Sequence, residues 1–190
     1  MRRATLILAL GSVGLGALIG CSKTDQKPAV VAGQPAAATL TTAIAGAPGM
    51  TTVAAAIKGT GLATVFDGTA PYTVLVPQDD AFGALGGAAA RLVAPENGAA
   101  MAAVIKAHVL PGYITVSDID AALKAAHGKP VKMTTMAGAT VTFARKGKAL
   151  MVTAADGSIA KVSGSAITAT NGVAIPVDKV LKKIPAATGV

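Results

Sequence analysis

Tyr72-Thr73-Val74-Leu75-Val76-Pro77-Gln78-Asp79-Asp80-Ala81-Phe82 is the stretch on which the fold turns. Tyr72 to Val76 is a compact β-branched and apolar run, the composition of a buried strand, and it ends at Pro77. Asp79 and Asp80 then stand directly before Ala81-Phe82. Two adjacent carboxylates could serve as a catalytic acid pair, but at this point they are more simply an N-cap and its neighbour, accepting from the first free N–H groups of a short helix.

Upstream, helical spacing dominates. Leu40 and Ile44, then Val53, Ala54 and Ile57, recur at helical intervals with Pro48-Gly49 as a break. Thr51 or Thr52 is the expected N-cap of the second segment. Gly59 and Gly61 punctuate, Leu62 to Phe66 is a short helical turn, and Asp67-Gly68 leads into the strand. Downstream, Gly83 to Gly87 is expected to be a flexible loop. Glu96 to Ala107 places Met101, Val104 and Ile105 on one helical face and runs into His108-Val109-Leu110-Pro111-Gly112. Ser117 is the expected N-cap of a helix over Asp118 to Ala126, with acids in its first turn and Lys124 in its last, as the macrodipole favours.

Beyond Gly128 the period changes. Val131–Thr135, Ala139–Ala144, Leu150–Thr153, Ile159–Val162, Ala166–Thr170 and Ala174–Leu181 are strand-like, separated by Gly138, Gly147, Asp156-Gly157 and Asn171-Gly172. Asp-Gly and Asn-Gly are hairpin residues because they reach positive φ cheaply. Helices first and strands later give an α+β domain.

Residues 1–20 carry Arg2 and Arg3, then an uncharged run from Ala4 to Gly20 diluted by four glycines. That pattern is a secretory signal peptide, too short and too glycine-rich for a membrane span of about 20 strongly apolar residues. Leu18-Ile19-Gly20-Cys21 resembles the bacterial lipobox, in which the cysteine is alkylated with diacylglycerol and becomes the first mature residue. Cys21 is the chain's one cysteine, so no intramolecular disulfide can form and stability must come from packing. Residues 21–38, with Pro28, Gly33 and Pro35, read as the lipidated cysteine and a tether, leaving 39–185 as the domain. The chain is therefore expected in a bacterial envelope, held to the membrane by lipid. In a cell with two membranes this is the outer membrane or the periplasmic face; otherwise it is the extracellular face.

The charge is +8; without Arg2 and Arg3, 15 basic side chains face 9 acidic ones and it is +6. Such a surface favours anionic partners, among them acidic headgroups and anionic wall polymers. Nucleic acid is not expected, because the lysines are scattered singly and almost no aromatic rings interleave with them. Aromatic residues are 3% of the chain and Trp is absent, so the core is built from Ala, Val, Ile and Leu.

Three ordered stretches carry a family resemblance. Tyr72 to Phe82 resembles the first signature of the fasciclin domain, and Thr168-Ala-Thr-Asn171-Gly172-Val-Ala-Ile-Pro-Val-Asp178-Lys-Val-Leu181 resembles the second. Between them His108-Val109-Leu110-Pro111-Gly112 is similar to the family's His-Val-Val-Pro-Gly. The resemblance implies a β-wedge of mainly antiparallel strands packed by several helices, and a role in adhesion or cell-surface interaction. Its motif residues here are Pro77, Asp79, Asp80, Phe82, His108, Pro111, Gly112, Asn171, Gly172 and Asp178. The sequence departs from the family at Gln78 (commonly Thr), Ile175 (often His) and Pro176 (Val). It also departs at Ala107, where a Tyr usually precedes the histidine. That Tyr-His pair is associated with receptor-mediated adhesion, which is accordingly not carried over.

No catalytic constellation is expected. No Gly-x-Ser-x-Gly elbow presents a nucleophile, and the glycines at 83–87 lack the Gly-Lys-Ser end of a phosphate loop. His108 and His127 are the only histidines, too few for a zinc site, and His108 is expected to bond backbone at an element junction. Met133 and Met136 would face opposite sides of a strand rather than share a copper ion. Asp178 is expected to be a satisfied buried or edge carboxylate. The expected function is a surface interaction module binding a protein or polysaccharide partner without a cofactor. The alternative is a carrier of a small apolar ligand such as a lipid or pigment.

Overall fold

A computed structural model describes residues 38–184. The expected leader, the lipobox-like residues Leu18, Ile19, Gly20 and Cys21, and the expected tether up to residue 37 lie outside them. The Ala38 carbonyl accepts the Thr170 N–H at 3.1 Å.

The first half is helical: α1 (Leu40–Ala45), α2 (Thr51–Gly59), α3 (Ala63–Phe66), then strand β1 (Tyr72–Pro77), α4 (Asp79–Gly83), α5 (Gly87–Val93), a 3-10 turn over Pro95–Asn97, and α6 (Gly98–Ala107). Strand β2 (Val109–Pro111) and α7 (Val116–Ala125) follow, and the remainder is β3 (Val131–Thr134), β4 (Thr140–Lys146), β5 (Ala149–Ala154), β6 (Ile159–Lys161), β7 (Ile167–Ala169) and β8 (Gly172–Val177). Two four-stranded sheets form, ordered β2-β1-β8-β7 and β3-β4-β5-β6. Every pairing is antiparallel except β1 with β8, which runs parallel from Tyr72–Gly172 to Pro77–Val177. This is the expected α+β class.

The first sheet divides the core. Side chains alternate across a strand, so Val74 and Val76 of β1 and Ala174 of β8 face the helices, packing with Leu40, Ile44, Val53, Ile57, Phe66 and Val104. Leu75, Val173, Ile175 and Val177 face the other way, onto Phe143, Val152, Leu150 and Ile119 of the second sheet and α7. Both central strands are consequently buried on two faces, which is why they are continuous apolar runs. Met133 of β3 packs on the second core, while Met136 lies past the end of that strand, in the turn before β4, and packs against the helical core.

Pro176 sits in this central strand without breaking it. Its carbonyl accepts Ser163 N–H at 2.9 Å. The ring nitrogen therefore also faces away from β1, at a level where β7, which pairs only with Gly172 to Ala174, has already ended.

Several local expectations are corrected by contacts. The cap of α7 is Thr115, whose Oγ1 accepts Asp118 N–H at 3.2 Å while Asp118 Oδ2 accepts Thr115 N–H at 2.8 Å; Ser117 lies inside the helix. Residues 83–87 are not one loop: Asp79–Gly83 and Gly87–Val93 are both helical, because Ala88 to Ala90 favour helix and Leu92 gains burial. The last strand stops at Val177 rather than continuing to Leu181. Neither Asn171 nor Gly172 takes positive φ. Gly172 is required for space instead: a Cβ there would stand 2.3 Å from the Tyr72 carbonyl and 2.8 Å from Leu40 Cδ2. Substituting Gly172→Ala is expected to cost about 3 kcal/mol through forced separation of β1, β8 and α1. Urea unfolding measures it.

Candidate functional site

The polar motif residues are committed to joining distant parts of the backbone. Asp79 is the clearest case. It does not cap its own helix: Gln78 holds the N-cap position of α4, and its side chain makes no cap bond there. The Asp79 carboxylate reaches across to α2, where Oδ1 accepts Thr52 N–H at 2.8 Å and Oδ2 accepts Thr51 N–H at 3.2 Å and Thr51 Oγ1–H at 2.8 Å. Its own N–H donates to Gly49 O at 2.8 Å. Thr51 and Thr52 are thus the first helical residues of α2, not its cap. Burial pushes the Asp79 carboxyl upward, but the hydrogen bonds from Thr52 and Thr51 outweigh it and the pKa lies below the ordinary carboxylate value.

His108 is 2% exposed at the end of α6. Its Nδ1 lies 2.8 Å from Val104 O and its Nε2 2.7 Å from Leu181 N. A carbonyl only accepts and an amide N–H only donates, so Nδ1 carries the proton and Nε2 is the acceptor. The ring is held neutral in one tautomer and ties α6 to the chain end after β8. A second proton would set Nε2–H against Leu181 N–H, and burial lowers the pKa to about 4, the bond to Val104 and the charge of Asp156 acting in the opposite sense.

Asn171 and Asp178 act alike. Asn171 Oδ1 accepts Leu40 N–H at 2.8 Å and Nδ2 donates to Phe66 O at 2.8 Å, fastening α1 and α3 to the β7–β8 turn. Asp178 Oδ1 accepts Lys161 N–H at 2.7 Å, an edge contact between the two sheets beside the Val162–Val177 bridge. Pro77 and Phe82 are buried, Asp80 and Pro111 are exposed, and Gly112 takes φ 104°, donating its N–H to Pro71 O. Gln78 accepts Ser163 Oγ–H at 2.7 Å. Thr73, unremarked in the sequence, is fully buried, donates to Gly112 O at 2.9 Å and accepts Ile114 N–H at 2.8 Å.

The surface these contacts support contains a groove of about 590 Å³. Thr52, Ala55, Ala56 and Gly59 of α2 form one wall, Gly98 and Met101 of α6 the other, and Leu92 to Pro95 close it. Small residues at helical spacing open this space because they cannot fill the gap between the helices. That repeat is the signal by which the sequence could have disclosed the groove. Ala56 and Met101 also border an internal void of about 10 Å³ lined by Pro77, Phe82 and His108. Ala56 and the flexible Met101 are thus common to the groove and to the void that the motif histidine lines. The motif residues hold the groove's walls without lining it. Among the described residues no three His, Cys, Asp or Glu side chains group as a metal ion would require, and no helix is long and apolar enough to cross a membrane.

A two-sheet wedge with this helical layer and these three motifs defines a class: the chain belongs to the fasciclin domain family, which it matches over residues 48–183. It is 30% identical over 162 residues to Protein sll1483 of Synechocystis sp., across 84% of this chain and 82% of that protein. It also resembles a solved FAS1 domain pair from the insect cell adhesion molecule Fasciclin I, with a TM-score of 0.67 at 15% identity. The match covers 77% of this chain and 51% of that one, so the chain spans about half the length of the domain pair, and the likeness is one of fold.

Two outcomes are expected. Asp79→Ala should lower stability by about 1–2 kcal/mol by uncapping α2, and the wild-type advantage over it should fade in acid as the carboxylate protonates. Denaturant unfolding of both proteins from neutral to acid pH reads both effects. Because the folded pKa of His108 lies below its unfolded value near 6.5, the unfolded state binds the extra proton first. Its contribution is full above pH 6.5 and is lost as pH falls toward 4, by about 3 kcal/mol in total. His108→Gln should be less stable at neutral pH and show a flatter profile over that window.

Proposed function

We propose that the chain is an envelope interaction module, a fasciclin domain carried on lipidated Cys21 and a tether over residues 21–38, binding a protein or polysaccharide partner. One observation carries it: Asp79, His108, Asn171 and Asp178 all bond backbone elsewhere in the fold. They rigidify a scaffold, and recognition falls to the exposed faces that scaffold presents. Ala107 is half-buried at the end of α6, where the family's tyrosine would stand. Recognition here accordingly uses other residues than the Tyr-His pair.

Deletion of the chain in its native cell is expected to weaken adhesion or envelope integrity, with restoration by the intact chain. Unchanged adhesion, integrity and pull-down partners would count against the module. Intact mass of the membrane-purified protein should show acyl groups that Cys21→Ala lacks.

A second reading is favoured by the groove itself. Its volume falls within the range of about 300–1,000 Å³ typical of small-molecule sites, and Leu92, Val93, Ala55 and Met101 give it an apolar lining. A lipid or pigment of matching size would occupy it. Mass spectrometry of an organic extract should then find one species in stoichiometric amount, and Ala55→Phe, which fills the groove, should remove it without unfolding the protein. An empty wild-type protein would exclude the carrier role.

A further inference from the structure

We infer that the outer face of the second sheet docks onto an anionic lipid surface. The two halves of the described chain differ in charge: residues 38–128 carry four basic and six acidic side chains, residues 129–183 nine basic and two acidic. In the second sheet Val141, Phe143, Leu150, Val152 and Ala160 point inward and are buried. The alternate residues form the outer face. There the register aligns Lys132 with Thr142, Thr153 and Ile159, then Ala144 with Met151 and Lys161, then Lys146 with Ala149. No acid occupies this face. Among the described residues no carboxylate lies within ion-pair distance of Lys132, Lys146 or Lys161. Of the two acids in this half, Asp178 accepts the Lys161 backbone N–H, and Asp156 accepts from Ser158 and Lys183 backbone.

The arrangement of charge selects the partner. Strands lie about 4.8 Å apart and alternate residues about 7 Å apart along a strand. Lys132 and Lys161 sit on opposite edge strands, about 14 Å across the sheet and one row of about 7 Å along it, and Lys146 lies two rows along from Lys132 and one strand in. The three ammonium groups mark a triangle rather than a line. A linear anionic polymer is tracked by a row of charges, whereas a headgroup layer is a two-dimensional array of anions that a flat triangle meets at all three corners. Beside the triangle, on the same strand as Lys161 and at the far end of the Lys132 row, stands Ile159, 51% exposed, an apolar side chain suited to the headgroup boundary. No aromatic ring on the face offers a platform for stacking sugars. Helices α1 to α6 pack on the far side of the first sheet, so docking on this side leaves the groove between α2 and α6 turned away from the bilayer.

The test does not depend on lipidation. In the full chain carrying Cys21→Ala, Thr153→Cys places a single thiol at the centre of the face for a nitroxide label. Vesicles of phosphatidylcholine containing phosphatidylglycerol should immobilise the label and raise its accessibility to lipid-borne oxygen; pure phosphatidylcholine should not. Lys132→Gln/Lys146→Gln/Lys161→Gln should raise the half-saturating anionic lipid concentration roughly a hundredfold. Lys58→Gln/Lys106→Gln/Lys124→Gln, which removes equal charge from the helices, should change it little, and thermal unfolding confirms that both variants fold. A label that stays solvent-like with both vesicle types, or equal losses in the two triple variants, overturns the inference. Immobilisation by soluble dextran sulfate where vesicles have no effect overturns it in favour of a linear polymer. None of these failures touches the proposal that Cys21 is acylated, which intact mass decides separately.

Discussion

The parallel pairing of β1 with β8 is the constraint from which the remaining structure follows. Six residues on each strand are in register, from Tyr72–Gly172 to Pro77–Val177, and between them they separate the two cores. Because both faces of these strands are covered, neither tolerates a polar side chain without an internal partner. Thr73 is the one polar exception in β1, and its hydroxyl serves the chain just beyond β2 as both donor and acceptor. Gly172 lets the pair close at all: the room a methyl group would need is taken by the Tyr72 carbonyl and Leu40.

Around that pair, the motif residues share one chemistry at different places. Asp79, Asn171, His108 and Asp178 each reach a backbone group far away in sequence, and each satisfies a donor or acceptor at an element end. Helix ends and strand ends leave such groups exposed by construction. A domain without a disulfide and with few aromatic rings has limited means of fixing its elements to one another. Directional bonds from a few side chains supply positions that Ala and Val contacts alone would leave loosely specified.

What the sequence disclosed and what it concealed divide along the same line. The alternation of β3 to β6, the helical faces of α2 and α6 and the buried run of β1 were legible because period depends only on near neighbours. The start of α2 is not legible, for the converse reason. Thr51 and Thr52 look like caps within a short window, but the acceptor for their N–H groups is a carboxylate 28 and 27 residues away. Asn171-Gly172 looks like a positive-φ turn, yet the glycine answers to Leu40, far back in the chain. Residues 83–87 read as a loop because their glycines disfavour helix, whereas the alanines and the buried Leu92 that follow restore it. The groove was missed because its signal is small side chains, which read equally well as close packing.

The β1–β8 pairing also has a temporal meaning. Its partners are 100 residues apart, so the sheet dividing the cores is an open ring until the far segment arrives. Closing a flexible loop of that length costs about 4 kcal/mol in chain entropy before any contact is gained. The helices and the β3–β6 meander can form from local contacts, but each has only half of its core covered until Gly172 to Val177 slots beside Tyr72 to Pro77. A chain emerging N-terminus first therefore keeps the apolar centre of this domain unsealed until β8 is free to pair. Assembly of the domain is a single late event rather than a progressive one.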